Sequence, residues 1–358
     1  MQSFIELQSP SGGAVRCRPL GSLLALAAVS VLAGALAACG GGGGGEAAAP
    51  EPAPAPAPAP SPLPTTPIAA QMTVPMPVGY DTDRLAAFNR LNAIRLSAGL
   101  GMVAQNTMMD QAAQAHAEWM VANDTFAHAE VEGTPGFTGE NWARRDEAFG
   151  YVPVGGSEVM SFGMSGEAGV DALVNMVSHR SGMLAFEPVD VGIGWTAKSS
   201  DAVPTPLVID LTQPGSERTR ELGQAAQPAI HGACIWPLDG ARGVPLRMGL
   251  EIPNPVPTQD VSTLGTPVSL NVDGSRAISA VQFTLTNTRT GADVTTKLLT
   301  NQNDPNFLIP ESFIAVIPLA PLSPNTTYAV VFSGSTVQFP SGLVEPVNRA
   351  WSFTTSDR

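Results

Sequence analysis

Two stretches of the chain carry residue types that could do chemistry together. The first, "FAHAEVEGTPGFTGEN" at residues 126–141, contains His128 and three glutamates, and the second, "SHRSGML" at residues 178–184, contains His179. Two neutral imidazoles and a carboxylate can bind a divalent metal such as zinc and leave one position for water. A histidine oriented by a glutamate can instead act as a general base. The two stretches therefore predict a metal site, an acid–base site or a polar loop.

The other candidate groups nearby are weaker. Ser178 and Ser181 lie beside His179, but the Gly-x-Ser-x-Gly elbow of a serine hydrolase is missing, so a serine nucleophile is not indicated. His116 in "AQAHAEWM" follows two alanines by one helical turn and is predicted to pack as a structural histidine.

Helices and strands must position these residues. Apolar residues repeat at helical spacing from Leu85 to Ile94, with Asp83 placed to cap this helix and Gly99 to end it. A second helix is predicted over "NTMMDQAAQAHAEWMVAND" and a third over "GEAGVDALVNMVSHRSGML". Glycine and proline break up residues 133–156, and two short strands, "VDVGIGWTA" and "PLVIDL", follow the third helix.

The order of several motifs resembles the CAP superfamily, also called the SCP domain family, which contains cysteine-rich secretory proteins, antigen 5 and plant pathogenesis-related proteins. The resemblance is carried by "FNRLNAIRLSAGLGMVAQNTMMDQAAQAHAEWM", "FAHAE", "GTPG", "RRDEAFGY" and "SHRSGMLAFEPVDVGIGW", and is strongest to the cysteine-free bacterial branch. It implies an α–β–α sandwich with a cleft that carries two histidines and acidic residues.

The resemblance also assigns the cleft residues. His128 matches the first cleft histidine and His179 the second, with Arg180 beside it as the pattern expects. The cleft glutamate is either Glu158 in "GGSEVMSFG", which we favour because it follows "RRDEAFGY", or Glu140 in the literal "GEN". A hydrolase of this kind would use His128, Glu158 and His179, with a metal bound by the two histidines.

The second acidic position of the family pattern has no clear counterpart. It would fall near Asn175 or Met176, whereas Glu167 and Asp171 are out of register. This departure weighs against hydrolysis.

After about residue 230 the amino-acid pattern of the chain changes. Runs rich in β-branched residues, such as "PVSLNV", "AVQFTLTN", "FIAVIPL" and "TYAVVFSG", are separated by turn residues, which predicts a β-sandwich. "PLAPLSPNTTYAVVFSG" and "NRAWSFTT" resemble bacterial immunoglobulin-like domains. The expected fold class is thus α+β, a CAP sandwich at 79–213 followed, after a linker at 214–228, by an all-β immunoglobulin-like sandwich at 229–358.

The N-terminal region predicts export. Arg16 and Arg18 precede an apolar run that ends in "LAAC", which resembles the lipobox of bacterial lipoproteins with Cys39 as the lipidated residue. Residues 1–38 would form the signal peptide, and residues 39–78, rich in glycine and Ala-Pro repeats, a disordered tether. Cys234 would be the one thiol of the folded part, a small buried hydrophobe.

Composition and resemblance together set the functional expectation. A formal net charge of −13 argues against nucleic acid as a partner. We expect a lipid-anchored protein of the bacterial cell envelope, most simply in the outer membrane, that binds a lipid or an envelope partner. The alternatives are a structural or adhesion protein and a metal-dependent hydrolase.

Overall fold

The computed structural model describes the backbone of residues 5–8 and all of residues 71–214 and 232–358. The predicted lipidation residue Cys39, most of the tether and nearly all of the linker lie outside these ranges, as does the rest of the export segment. Residues 71–214 and 232–358 belong to one compact unit. None of the helices within the described ranges is both long enough and apolar enough to cross a bilayer.

Three helices form the first half of the N-terminal domain. They are α1 (Thr82–Ser97), α2 (Thr107–Ala122) and α3 (Trp142–Ala148). The side chain of Asp81, not the expected Asp83, caps α1 by accepting the Arg84 N–H, because the helix begins one residue before Asp83. Helix α3 was not predicted, since its seven residues are too few to show a clear period.

The predicted third helix is two helices, α4 (Gly166–Val174) and α5 (Val177–Met183). The chain is extended at Met176 between them. Here the carboxylate of Glu251 accepts the N–H groups of Val177 and Ser178, at 3.0 and 2.6 Å, and so caps a new helix start. The sequence prediction was wrong at this point because the cap lies more than seventy residues downstream.

One sheet of six strands forms the middle layer of this domain. Its order is β2-β4-β5-β3-β1-β8, with strands at Ile5–Gln8 (β1), Ala104–Gln105 (β2), Pro153–Ser161 (β3), Asp190–Trp195 (β4), Leu207–Pro214 (β5) and Glu251–Ile252 (β8). Strands β4 and β5 confirm the two predicted strands. The region around Glu158, for which the sequence predicted no strand, is strand β3, antiparallel to β5.

Helices cover both faces of the sheet. On one face, Val159, Ile193 and Ile209 belong to the apolar core that α1, α4 and α5 complete. On the other face, a Cβ atom at Gly192 or Gly194 would lie 2.2 to 2.6 Å from backbone atoms of α2, so these glycines let α2 pack directly on β4. The predicted α–β–α sandwich is confirmed.

The C-terminal domain is an immunoglobulin-like sandwich of two four-stranded sheets. One sheet has the order β10-β13-β14-β7 and the other β11-β12-β9-β6. The strands are Cys234–Trp236 (β6), Ala241–Val244 (β7), Val268–Asn271 (β9), Arg276–Asn287 (β10), Thr296–Thr300 (β11), Phe313–Pro318 (β12), Thr327–Gln338 (β13) and Val344–Thr355 (β14). Residues that alternate along the strands form the core between the sheets, which confirms the predicted all-β domain.

Candidate functional site

The first predicted cleft pair does meet, in the interior of the domain. His128 Nδ1 lies 2.6 Å from Glu158 Oε1, and both side chains are almost completely buried. Arg145 from α3 donates to Glu158 Oε2 at 2.5 Å and to the backbone oxygen of His128 at 2.9 Å. One arginine therefore fixes both members of the pair.

A second histidine–glutamate pair lies beside the first. His116 Nδ1 is 2.9 Å from Glu130 Oε1, and Glu130 also accepts the backbone N–H of Thr138 at 2.6 Å. The Arg145 guanidinium reaches to 4.0 Å from Glu130, so it lies between the two carboxylates. His116 is thus the packed histidine that the sequence predicts, but it belongs to the same buried network.

Two further buried carboxyl groups face this network. Asp210 on β5 is the cross-strand neighbour of Glu158 on β3, so both side chains lie on the α2 side of the sheet. Asp146 on α3 is buried too, and among the described residues no N–H group donates a hydrogen bond to either aspartate carboxyl. We refer to His116, His128, Glu130, Arg145, Asp146, Glu158 and Asp210 together as the polar core.

The carboxyl groups of the polar core differ in the direction in which their pKa is shifted. Burial opposes ionisation of Glu158, but the charge of Arg145 and the contacts with His116 and His128 together outweigh it and lower the pKa of that carboxyl. Burial raises the pKa of Asp146 to about 8, helped by the negative charge of Glu158. Burial, with the charges of Glu158 and Asp146, also raises the pKa of Asp210 well above its ordinary value. The polar core therefore combines two glutamates, Glu130 and Glu158, whose pKa is lowered with two aspartates whose pKa is raised.

His179 lies elsewhere. The ideal Cβ position of Gly182 on α5 falls 2.6 Å from Ser157 Oγ, so α5 packs on the Ser157 and Val159 face of β3, opposite the face that carries Glu158. His179 Nδ1 lies 3.3 Å from Glu251 Oε1 of β8. The structure thus brings His128 and Glu158 together but separates His179 from both.

Glu140 is not part of either arrangement. It is exposed, and only its backbone oxygen contacts the polar core region, by accepting the N–H of Glu130 at 3.2 Å. Of the two candidate glutamates, Glu158 is therefore the one that lies beside His128.

These positions do not suit the predicted metal site. The site was predicted at His128 and His179, which lie on opposite sides of the sheet and so cannot share one ion. Within residues 71–214 and 232–358, no three side chains of histidine, cysteine, aspartate or glutamate are placed to hold a metal ion. The polar core is also closed to solvent, so its chemistry is that of a buried charge network.

The neighbourhood of His179 joins the two domains. Arg180, fully buried, donates to Pro267 O at 2.8 Å and to Ser269 Oγ at 3.2 Å, and Asn271 donates to Leu184 O. Burial lowers the pKa of Arg180 to about 9 and raises that of the nearby Cys234 thiol to about 12. The "SHRSGML" stretch is thus part of a domain interface, and Cys234 is a buried free thiol, as expected.

A solvent-filled crevice opens beside this interface, with a volume of about 560 Å³. One wall is the start of β3 and the end of α5, and the other is a loop of the sandwich domain. Its lining is Gly155, Gly156, Ser157, Ser181, Gly182, Ala185, Glu187, Pro188, Gln213, Asn271, Gly274, Asn301 and residues 307–313.

Some of these residues could have been found from the sequence. Asp210 is a lone acid inside the apolar strand "PLVIDL", which is a signal for a buried carboxyl group with a special environment. Arg145 and Asp146 lie in "RRDEAFGY", which we used only to locate Glu158. The crevice has no such signal, because its two walls come from different domains.

Comparison with known proteins supports the domain assignment. Residues 88–203 match the family model of the cysteine-rich secretory protein family, CAP, and the chain therefore contains a CAP domain. No curated protein matches the sequence.

Two solved structures match part of the chain. One is an extracellular protein containing an SCP domain from Bacillus anthracis, with 19% identity over 35% of this chain and 38% of that chain, and a TM-score of 0.30. The other is an outer surface protein from Borrelia burgdorferi, with 17% identity over 38% of this chain and 97% of that chain, and a TM-score of 0.33. This chain thus covers well under half of the Bacillus protein.

Proposed function

We propose that this protein is an exported, lipid-anchored binding module, and that it holds a partner of the cell envelope in the crevice between its two domains. The observation that carries the proposal is the crevice itself. Its volume of about 560 Å³ lies in the range of ligand-binding pockets, and Ser181 and Gly182 of the "SHRSGML" stretch line it.

The chemistry of the crevice favours a polar partner over a sterol-like lipid. Ser157, Ser181, Gln213 and Asn301 all line it. The Ser181 hydroxyl and the amides of Gln213 and Asn301 already donate hydrogen bonds to backbone oxygens of the protein. Their oxygen atoms can still accept hydrogen bonds from a polar ligand, which a lipid tail cannot supply.

The domain interface supports a preformed site. Glu251 of β8 holds the start of α5, and Arg180 of α5 bonds back to the segment before β9. Since these contacts are buried, the two walls of the crevice are held at a fixed separation, which lowers the entropy lost on binding.

The binding experiment uses the detergent-solubilised full chain and isolated envelope fractions. A Ser312→Trp substitution places an indole in the crevice, whereas Thr290→Trp places one in an exposed turn at the far end of β10. We expect wild type and Thr290→Trp to co-sediment with an envelope fraction and Ser312→Trp to lose at least about tenfold in affinity.

Two outcomes of this experiment would count against the proposal. If both tryptophan variants co-sedimented equally with the envelope fraction, binding would not depend on the crevice, which would favour a structural or adhesion role. If the wild-type protein bound no envelope fraction, the proposed binding function would be contradicted.

The membrane anchor is a separate part of the proposal, supported by the "LAAC" motif at Cys39. Cleavage before Cys39 would remove strand β1 (Ile5–Gln8) from the edge of the sheet that carries β8. We expect Cys39→Ser to prevent acylation and so to reduce the labelled, membrane-bound form, because one modified cysteine supplies the hydrocarbon chains. Labelling of cells with a radioactive fatty acid, followed by recovery of the protein, measures this directly. Equal labelling of wild type and Cys39→Ser would contradict the anchor.

A further inference from the structure

The loop that forms the outer wall of the crevice is unusually well ordered by its own hydrogen bonds. The Asp304 carboxylate is buried and accepts the backbone N–H groups of Asn306, Leu308 and Ile309, at 3.1, 2.6 and 3.0 Å. Asn306 donates to the backbone oxygen of Asn254 at 3.1 Å, which ties the loop to its neighbour. The position of residue 307 is therefore fixed from both sides.

This rigid loop presents Phe307 to solvent. Its side chain is 85% exposed at the edge of the crevice, and its backbone has a φ of +58°. An exposed phenyl ring loses the free energy that burial would provide, and a bulky residue in the left-handed region is strained. Two unfavourable features at one ordered position point to selection for binding and not for folding.

The charges of the crevice narrow the class of ligand. Among the described lining residues there is no lysine or arginine, but there are two glutamates, Glu187 and Glu311. Such a lining disfavours phosphates, acidic lipids and other anions. It suits a neutral ligand that offers many hydroxyl groups.

A sugar chain has both the apolar and the hydrogen-bonding groups that match the residues lining the crevice. The C–H groups on one face of a pyranose ring are apolar and can stack on an aromatic ring, while the hydroxyl groups at its edge form hydrogen bonds. Phe307 offers the aromatic face, and Asn301, Glu311 and Ser312 offer polar groups within the same crevice.

We propose that the crevice binds a neutral glycan chain and that Phe307 is the aromatic residue on which a sugar ring stacks. This inference rests on the proposed function, because it names the chemistry of the partner held in the crevice. Phe307 is a binding residue in this account and contributes nothing to the stability of the fold.

The test separates binding from folding. The probes are tetra-N-acetylchitotetraose and intact peptidoglycan sacculi, each with the detergent-solubilised full chain. Phe307→Asn removes the ring and relieves the strained backbone, since asparagine tolerates the left-handed region. We expect the dissociation constant for both probes to rise at least about tenfold, while the melting temperature stays equal or rises by up to about 4 °C.

Two variants serve as controls. Thr205→Asn relieves a similar backbone conformation, with a φ of +35°, at the start of β5 and away from the crevice, and should leave binding unchanged. Phe307→Tyr keeps the aromatic face and should bind within about threefold of wild type.

The possible failures are distinguishable. Retention of sacculi without any binding of chitotetraose, or equal binding by Phe307→Asn, would overturn the glycan assignment and leave envelope binding in place. A loss of binding in Phe307→Asn together with a lower melting temperature would also overturn it, because the ring would then act through the fold. If wild type binds neither probe nor any envelope fraction, the proposed function fails together with this inference.

Discussion

His128 and His179 occupy similar stretches in the sequence but different surroundings in the structure. His128 is held on the α2 side of the sheet by Glu158, within a network that belongs to one domain. His179 lies on the α5 side and faces Glu251, which comes after the linker. Two similar histidine motifs can therefore have different structural roles. His128 packs inside the CAP sandwich, whereas His179 packs at its interface with the immunoglobulin-like domain.

The largest effect should come from removing Arg145, the arginine of the polar core. Arg145→Met leaves the buried, ionised Glu158 without its charged partner, and removal of one member of a buried ion pair lowers the free energy of unfolding by about 3–5 kcal/mol. Urea unfolding followed by circular dichroism measures the change. The adjacent Arg144, which is exposed and pairs with Glu147 on the surface, provides the control, since Arg144→Met should change stability by less than about 1 kcal/mol.

The His179 side should be weaker but still measurable. Glu251→Gln removes the charge that accepts three backbone N–H groups at the start of α5, and we expect a loss of about 1–3 kcal/mol. The exposed Glu132, changed to glutamine, controls for the loss of one negative charge. If Glu251→Gln were as stable as Glu132→Gln in the same urea titration, the domain interface would not depend on this carboxylate.

A smaller effect concerns pH and is expected from the aspartates on the His128 side. Asp146, whose pKa is about 8 in the folded protein, binds a proton that the unfolded chain releases near pH 4. The folded form therefore binds more protons between these two pH values, and its stability falls as the pH rises through this window. Asp210, with its raised pKa, acts in the same direction.

The matching variant is Asp146→Asn. It should flatten the decline in unfolding free energy between pH 5 and pH 7 by about 1 kcal/mol or more, measured by urea titration at each pH. An unchanged slope would mean that Asp146 is ionised in the folded protein. Asp201→Asn, at an exposed position of the same domain, should leave the slope as in wild type.

The sequence predicted the layers of the CAP domain, the strands of the sandwich and the contact between His128 and Glu158. These features depend on local periodicity or on a match to family motifs. It missed the break at Met176, because the residue that caps α5 is Glu251. It also missed Asp210 as a partner of Glu158, because strand register decides which residues are neighbours across a sheet. The crevice could not be predicted, because its two walls come from different domains and a sequence motif describes residues of only one domain.

A double-mutant cycle tests the central claim, that the two histidines belong to separate parts of the molecule. His128→Gln and His179→Gln are measured singly and together by urea unfolding, with His128→Gln and Glu158→Gln as a cycle between residues in contact. We predict that the first pair adds within about 0.5 kcal/mol, whereas the second shows a coupling of roughly 0.5–3 kcal/mol. A coupling between His128 and His179 as large as that of the contacting pair would contradict the account and return both residues to one shared site.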